Sequence, residues 1–200
     1  MSMKTSQNCP LQIGELQVNA GHGYLGLTLC PGKKDLGRHW DRDLGEDLQA
    51  IKAWGATTVV TLIEDHEFAM LHVENLGHAV ESLGMEWIHL PILDVSIPDI
   101  RFENEWVTEG QKLHARLDAG ERILIHCRGG VGRTGLLAGL LLVERGLQPM
   151  EAIERVRQAR PGAIETRAQE QYVRTHIGAL NLQTKTLIGE FFPTTTSEQK

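Results

Sequence analysis

The stretch "HCRGGVGRTG", residues 126–135, restricts what this chain can fold into more than any other segment. Three glycines fall within four positions (Gly129, Gly130 and Gly132), between a strand-like run "RILI" and an apolar run "LLAGLLLV". So many glycines weaken a loop that has nothing to enclose, because each surrenders more backbone freedom on folding than any other residue. Glycines without Cβ atoms also let successive N–H groups turn inward together, which forms an anion-binding nest above a helix N-terminus. The expected guest is a phosphate. A strand running through such a loop into a helix belongs to an α/β sheet, where ligands gather at the carboxyl ends of the strands.

The flanking sequence agrees with an α/β class. Strand-like runs recur at "TTVVTLI" (57–63), "EWIHLPI" (86–92) and "RILIHC" (122–127), each apolar or β-branched and bounded by turn residues. Helical spacing of apolar residues marks 43–54, about 72–83 and 101–117, which end near Gly55, Gly84 and Gly120. "LLAGLLLV" is apolar on every side and predicts a fully buried helix. Two more helices are expected, one over "PMEAIERVRQAR" with Pro149 in its first turn and one from Thr166 to about Leu180. The N-terminal "LQVNAGHGYLGLTLCPGK" predicts one or two edge strands joined by a glycine turn. With 200 residues, 41% of them hydrophobic, the chain can bury one core, and a single domain over 1–200 is expected, with a polar tail "PTTTSEQK" at 193–200 expected to be disordered.

Charge narrows the partners. A net charge of −6 offers no general electrostatic grip on nucleic acid, so phosphate recognition has to be local. Cys9, Cys30 and Cys127 are odd in number and lack CxxC spacing, which suits a reducing compartment. The N-terminal "MSMKTSQNCPLQ" has no apolar signal region, and the apolar run 135–143 falls short of the roughly 20 residues that span a membrane. A cytoplasmic protein with no membrane span is expected. The nine histidines show no HExxH-type spacing, and neither a metal nor another cofactor is expected.

Within the loop, Arg133 supplies a planar fork that can hold two phosphate oxygens, and Cys127 lies where a bound anion would sit above it. The positive surroundings that attract phosphate also favour a thiolate, the nucleophilic form of cysteine. The cradle is assigned to Arg128, Gly129, Gly130, Val131, Gly132 and Arg133. Thr134 can donate its hydroxyl to the sulfur and ease its departure from phosphorus, while His126 can fix the loop from behind or serve only as a core residue. A thiolate displacing an alkoxide or phenoxide requires an acid. Asp94, just past a predicted strand, is the candidate, since Asp99 after Pro98 is accounted for as a helix N-cap.

His-Cys-x5-Arg-Thr resembles the signature loop of the cysteine-dependent protein tyrosine phosphatases. Together with "LPILDVSIPD", "RPGAIETRAQEQYV" and the segment 29–68, it resembles the dual-specificity branch, its kinase-associated phosphatase type in particular, over most of 25–180. The resemblance implies a central, mostly parallel sheet of about five strands flanked by helices. It also implies Asp94 as general acid and a phosphorylated protein as substrate. In tyrosine-specific relatives a glutamine orients the hydrolytic water. Here Glu165 stands where the first such glutamine is often found, and its role is open; Gln169 matches the second and can equally close a capping box with Thr166. "EDHEF" (64–68) can border the pocket, although a solvated turn suits it better, and "RHWDRD" (38–43) can touch substrate or start a helix. Phosphoinositides or other small phosphoesters, a silent phosphate-reading module, and a sulfur carrier are the competing functions.

Overall fold

The computed structural model describes residues 2–176, so the expected tail at 193–200 and the end of the helix expected to reach about 180 lie outside them. The described residues form seven short strands and seven α-helices, in the order β1 (Gly14–Gln17), β2 (Tyr24–Leu29), β3 (Lys34–Asp35), β4 (Trp40–Asp41), α1 (Leu44–Trp54), β5 (Ala56–Thr61), α2 (Asp65–Leu71), α3 (Leu76–Ser82), β6 (Glu86–His89), α4 (Ile100–Asp118), β7 (Arg122–Cys127), α5 (Gly132–Glu144), α6 (Pro149–Ala159) and α7 (Arg167–Thr175). The main sheet has the order β1-β2-β7-β5-β6, parallel except for β1, and β3 pairs with β4 in a separate two-stranded ribbon.

β7 occupies the middle and is buried on both faces, which is why it reads as a continuous apolar run. Its alternate residues serve two cores. Ile123 and Ile125 pack with residues of α4, α5, α6 and α7, whereas Leu124 packs with Leu48 and Ile51 of α1 and with Val80 of α3. α5 is buried along its whole length, as its uniformly apolar sequence predicts. Local chemistry sets the helix ends: the Asp43 side chain caps α1, Asp99 caps α4, and Thr166 with Gln169 forms a reciprocal capping box on α7.

Three expectations need correction. β2 is an interior strand rather than an edge: it pairs with β7 from Tyr24↔Arg122 to Leu29↔Cys127, and only β1 lies outside it. The helix expected over 72–83 begins at Leu76, because His72 adopts a left-handed φ of 56° and ends a separate helix, α2. "EDHEF" is therefore no solvated turn but the start of α2, with Glu64 and Glu67 forming its capping box. β6 stops at His89, ahead of Pro91, yet the Leu90 and Ile92 amides still donate to the Thr61 and Leu62 carbonyls, which carries the chain to Asp94 beside the end of β7. Among the described residues, no helix is long and apolar enough to cross a membrane.

Candidate active site

The carboxyl end of β7 opens into the glycine loop. Gly130 has φ 70°, and a Cβ there would lie 2.3 Å from the carbonyl carbon and oxygen of Thr28 on β2, so no other residue fits. Gly132 gives way to the chain across the site, since its Cβ would stand 3.0 Å from Glu165 Oε2 and 3.1 Å from the Gln169 amide. Gly129, by contrast, faces open space. The loop carbonyls point away from its centre and are held there: Lys33 Nζ donates to Arg128 O (3.1 Å), Arg160 Nε to Gly130 O (3.1 Å) and Arg160 Nη2 to Gly129 O (3.4 Å). In a trans peptide the N–H opposes the C=O, so these contacts aim the following amides inward. The Gly130 N–H accordingly donates to Cys127 Sγ at 3.2 Å.

Behind the loop, His126 is fully buried, its Nε2 2.8 Å from the Thr61 hydroxyl, and burial holds its pKa down to about 3, so the ring is neutral and braces the loop. Arg133, the second residue of α5, is 1% exposed. Its Nη1 donates to Glu67 Oε2 (2.5 Å) and to the carbonyls of Ile92 (3.0 Å) and Leu62 (3.3 Å), while Nη2 donates to Glu67 Oε1 (3.0 Å). Arg133 Nε is buried and has no partner among the described residues. Asp94 is half exposed above it, with Oδ1 2.9 Å from Nη2. The next residue, Val95, has φ 56°, a costly conformation for a β-branched side chain, and its N–H donates to Asp94 Oδ1 at 3.1 Å. Ile164, immediately before Glu165, is held at φ 58°. Both acids that face the site thus adjoin a strained residue.

A cavity of about 550 Å³ is lined by Cys127, Arg128, Gly129, Val131, Gly132, Arg133 and Asp94, together with Glu165 and residues of the N-terminal segment. Gly130, assigned to the cradle from the sequence, does not line the cavity, and its N–H is directed at the Cys127 sulfur. Thr134 and Gln169 do not line the cavity. The Thr134 hydroxyl is buried and bonds to nothing among the described residues, the sulfur included. The Gln169 side chain is tied at both ends: Oε1 accepts from the Glu165 and Thr166 amides, and one Nε2 hydrogen goes to Ser96 O at 3.0 Å, tying α7 to the Asp94 loop. The Glu165 carboxylate has no polar partner among the described residues and stays open to the cavity.

Sequence reasoning missed Glu67, Lys33 and Arg160. The signal for Glu67 was available, because a buried arginine demands a carboxylate and "EDHEF" follows the strand beside β7. From "RHWDRD", Arg38, Trp40 and Arg42 line the cavity, Arg42 being paired with Asp47, and Asp43 caps α1.

The profile of the family described as "Swiss Army Knife protein, DSP-PTPase phosphatase domain" matches residues 40–173. The chain belongs to the DSP-PTPase phosphatase family. As a member of this family it is a cysteine-dependent phosphatase. It is similar to mouse cyclin-dependent kinase inhibitor 3, 33% identical over 172 residues that cover 84% of this chain and 79% of the relative. Mouse protein tyrosine phosphatase type IVA 3 is 30% identical over 122 residues, covering 60% of this chain and 64% of the relative. Among solved structures, kinase associated phosphatase with its catalytic-site cysteine replaced by serine matches with a TM-score of 0.73 and 28% identity, over 84% of this phosphatase and 98% of that chain. Tk-PTP in its active form matches with a TM-score of 0.61 and 26% identity, over 85% and 97%.

Proposed function

We propose that this phosphatase cleaves phosphate from protein side chains through a phosphocysteine on Cys127. The observation that carries the assignment is the convergence of Cys127, Arg133 and Asp94 on one cavity whose floor is the inward-facing loop. Arg133 receives the phosphate through Nε and Nη2, and the incoming phosphate oxygen takes the place that Asp94 Oδ1 holds 2.9 Å from Nη2. Asp94, released toward the cavity mouth, then stands over the leaving oxygen.

The Cys127 thiolate attacks phosphorus, the bond to the ester oxygen breaks, and that oxygen takes a proton from the Asp94 carboxyl. In the second step water attacks the cysteinyl phosphate, the S–P bond breaks and the sulfur leaves as a thiolate. Asp94, now a carboxylate, accepts the proton. The unspent Thr134 hydroxyl supports the departing sulfur. Glu165 orients the water, because its carboxylate lines the cavity whereas Gln169, held by the α7 cap and Ser96, does not. Amides of the loop and the N-terminus of α5 stabilise the charge developing on the equatorial oxygens.

Hydrolysis of p-nitrophenyl phosphate in EDTA tests the assignment. Cys127→Ser is expected to abolish turnover. Asp94→Ala is expected to slow an alkyl phosphate by about 100-fold or more and an aryl phosphate, whose leaving group needs less help, far less. Turnover retained by Cys127→Ser, or equal losses on both esters, would refute the roles given to these residues.

A further inference from the structure

One wall of the cavity carries more positive charge than the chemistry above uses, the bond from Lys33 to Arg128 O being its one part in that chemistry. The sheet order places β2 on one side of β7 and the β5–β6 pair on the other. Glu67 and Asp94 come from the β5–β6 side, while the segment after β2 brings Lys33, Arg38 and Trp40 to the other. Lys33 is 5% exposed and lies with Nζ 4.5 Å from the Trp40 ring, yet among the described residues no carboxylate pairs with it; its one hydrogen bond goes to Arg128 O. Burial pulls its ammonium down to about 8, more than the charges of Cys30, Asp35 and Cys127 nearby restore. Lys4 Nζ and the Arg42 guanidinium stand 4.8 and 5.8 Å from the same ring, and only Arg42 is neutralised, by Asp47. Arg38 is open to solvent and reaches Asp35 only at 4.0 Å, because Asp35 is committed to Arg128 at 2.7 Å.

Lys33 and Lys4 on the Trp40 ring carry charge with which no carboxylate among the described residues pairs, so an anion entering beside Lys33 and Arg38 meets uncompensated cations. The scissile phosphate occupies the loop, so that anion is a different group. A cavity of about 550 Å³ has room for both. We propose that the wall of Lys33, Arg38 and Trp40 is a subsite for a second anionic group of a phosphopeptide substrate, a carboxylate or phosphate carried next to the scissile phosphate. The inference rests on the phosphatase assignment of the Cys127 loop and names its substrate class. A peptide suits the mouth better than a polyphosphorylated sugar, since the opposite flank exposes Leu93, Val95 and Ile97, apolar side chains useful to a neighbouring peptide residue and useless to an inositol ring.

The test compares kcat/KM for three substrates: a phosphotyrosine peptide with alanine on both sides, the same peptide with glutamate in those places, and a soluble inositol bisphosphate. The wild type is expected to favour the glutamate peptide over the alanine peptide by about tenfold, the worth of one charge-assisted contact. Lys33→Met, which keeps the packing on Trp40, and Arg38→Ala, at an exposed position that folding does not depend on, are each expected to shrink that ratio. A wild-type ratio near one, a ratio untouched by both substitutions, or preference for the inositol bisphosphate over the peptides would overturn the subsite. Failure of the wild type to hydrolyse p-nitrophenyl phosphate would instead strike the phosphatase assignment of the loop itself.

Discussion

A guanidinium as deeply buried as that of Arg133 costs several kcal/mol of desolvation unless a carboxylate answers it, and Glu67 does so with both oxygens. The pair also sets the plane of the arginine, leaving Nε unspent toward the cavity. Glu67→Gln keeps the shape and removes the charge. It is expected to destabilise the fold by about 3 kcal/mol in urea unfolding, and to raise KM for p-nitrophenyl phosphate as the fork loses its orientation. Unchanged stability and KM would show that Arg133 is held by its carbonyl contacts alone. Cys127, Arg133 and Asp94 were legible as candidates because the chemistry demands each type and the loop confines two of them to a few positions. Glu67 was legible only in part: a buried arginine demands a carboxylate, but the bond spans 66 residues and only the sheet order picks Glu67 out. Gln169 and Glu165 were ambiguous for a related reason, since a capping box and a water site call for the same side chain, and only the folded chain shows Glu165 lining the cavity and Gln169 set back against Ser96.

Element identity was legible where hydrophobic pattern and length agreed, as in β7 and α5, and failed where tertiary packing overrode local signals. β2 read as an edge because glycine interrupts it. Gly26 is there for the Trp54 ring, which a Cβ would meet at 2.8 Å, so the strand gives up propensity for close packing. The two-residue strands β3 and β4 carry no pattern at all, and α2 hid behind its own charged first turn. Two elements are also pinned by titrating groups. His126 on β7 is neutral when folded, with a pKa near 3 against 6.5 when exposed, so the stability it contributes is complete above about pH 6.5 and declines as pH falls toward 3. Glu144, at the end of α5, is opposed by burial but held down to about 2 by hydrogen bonds from His114, His176 and Trp106; its share is complete above about 4.5 and is lost toward 2. Between pH 6 and 5, unfolding free energy is therefore expected to fall by up to about 1.4 kcal/mol per pH unit. His126→Asn should flatten that slope, and a slope unchanged by the substitution would remove His126 as its source.

At the scale of the molecule, an acidic chain builds a cationic pocket by position rather than by composition. β7 lies at the centre of the sheet, so its carboxyl end collects the loop, the α5 N-terminus, the carboxylates from the β5–β6 side and the basic wall that follows β2. The separation of the two flanks follows from strand order, which is why the α/β class was readable from alternating strands and helices while the wall of Lys33, Arg38 and Trp40 was not. The most direct measurement is rapid acid quench of the enzyme with ³²P-labelled phosphopeptide, followed by mapping of the labelled fragment, in wild type and Glu165→Ala. Label on the peptide containing Cys127, accumulating further in Glu165→Ala as hydrolysis of the phosphocysteine slows, is the predicted result. Turnover with no covalent label, or label on a peptide that lacks Cys127, would contradict the account.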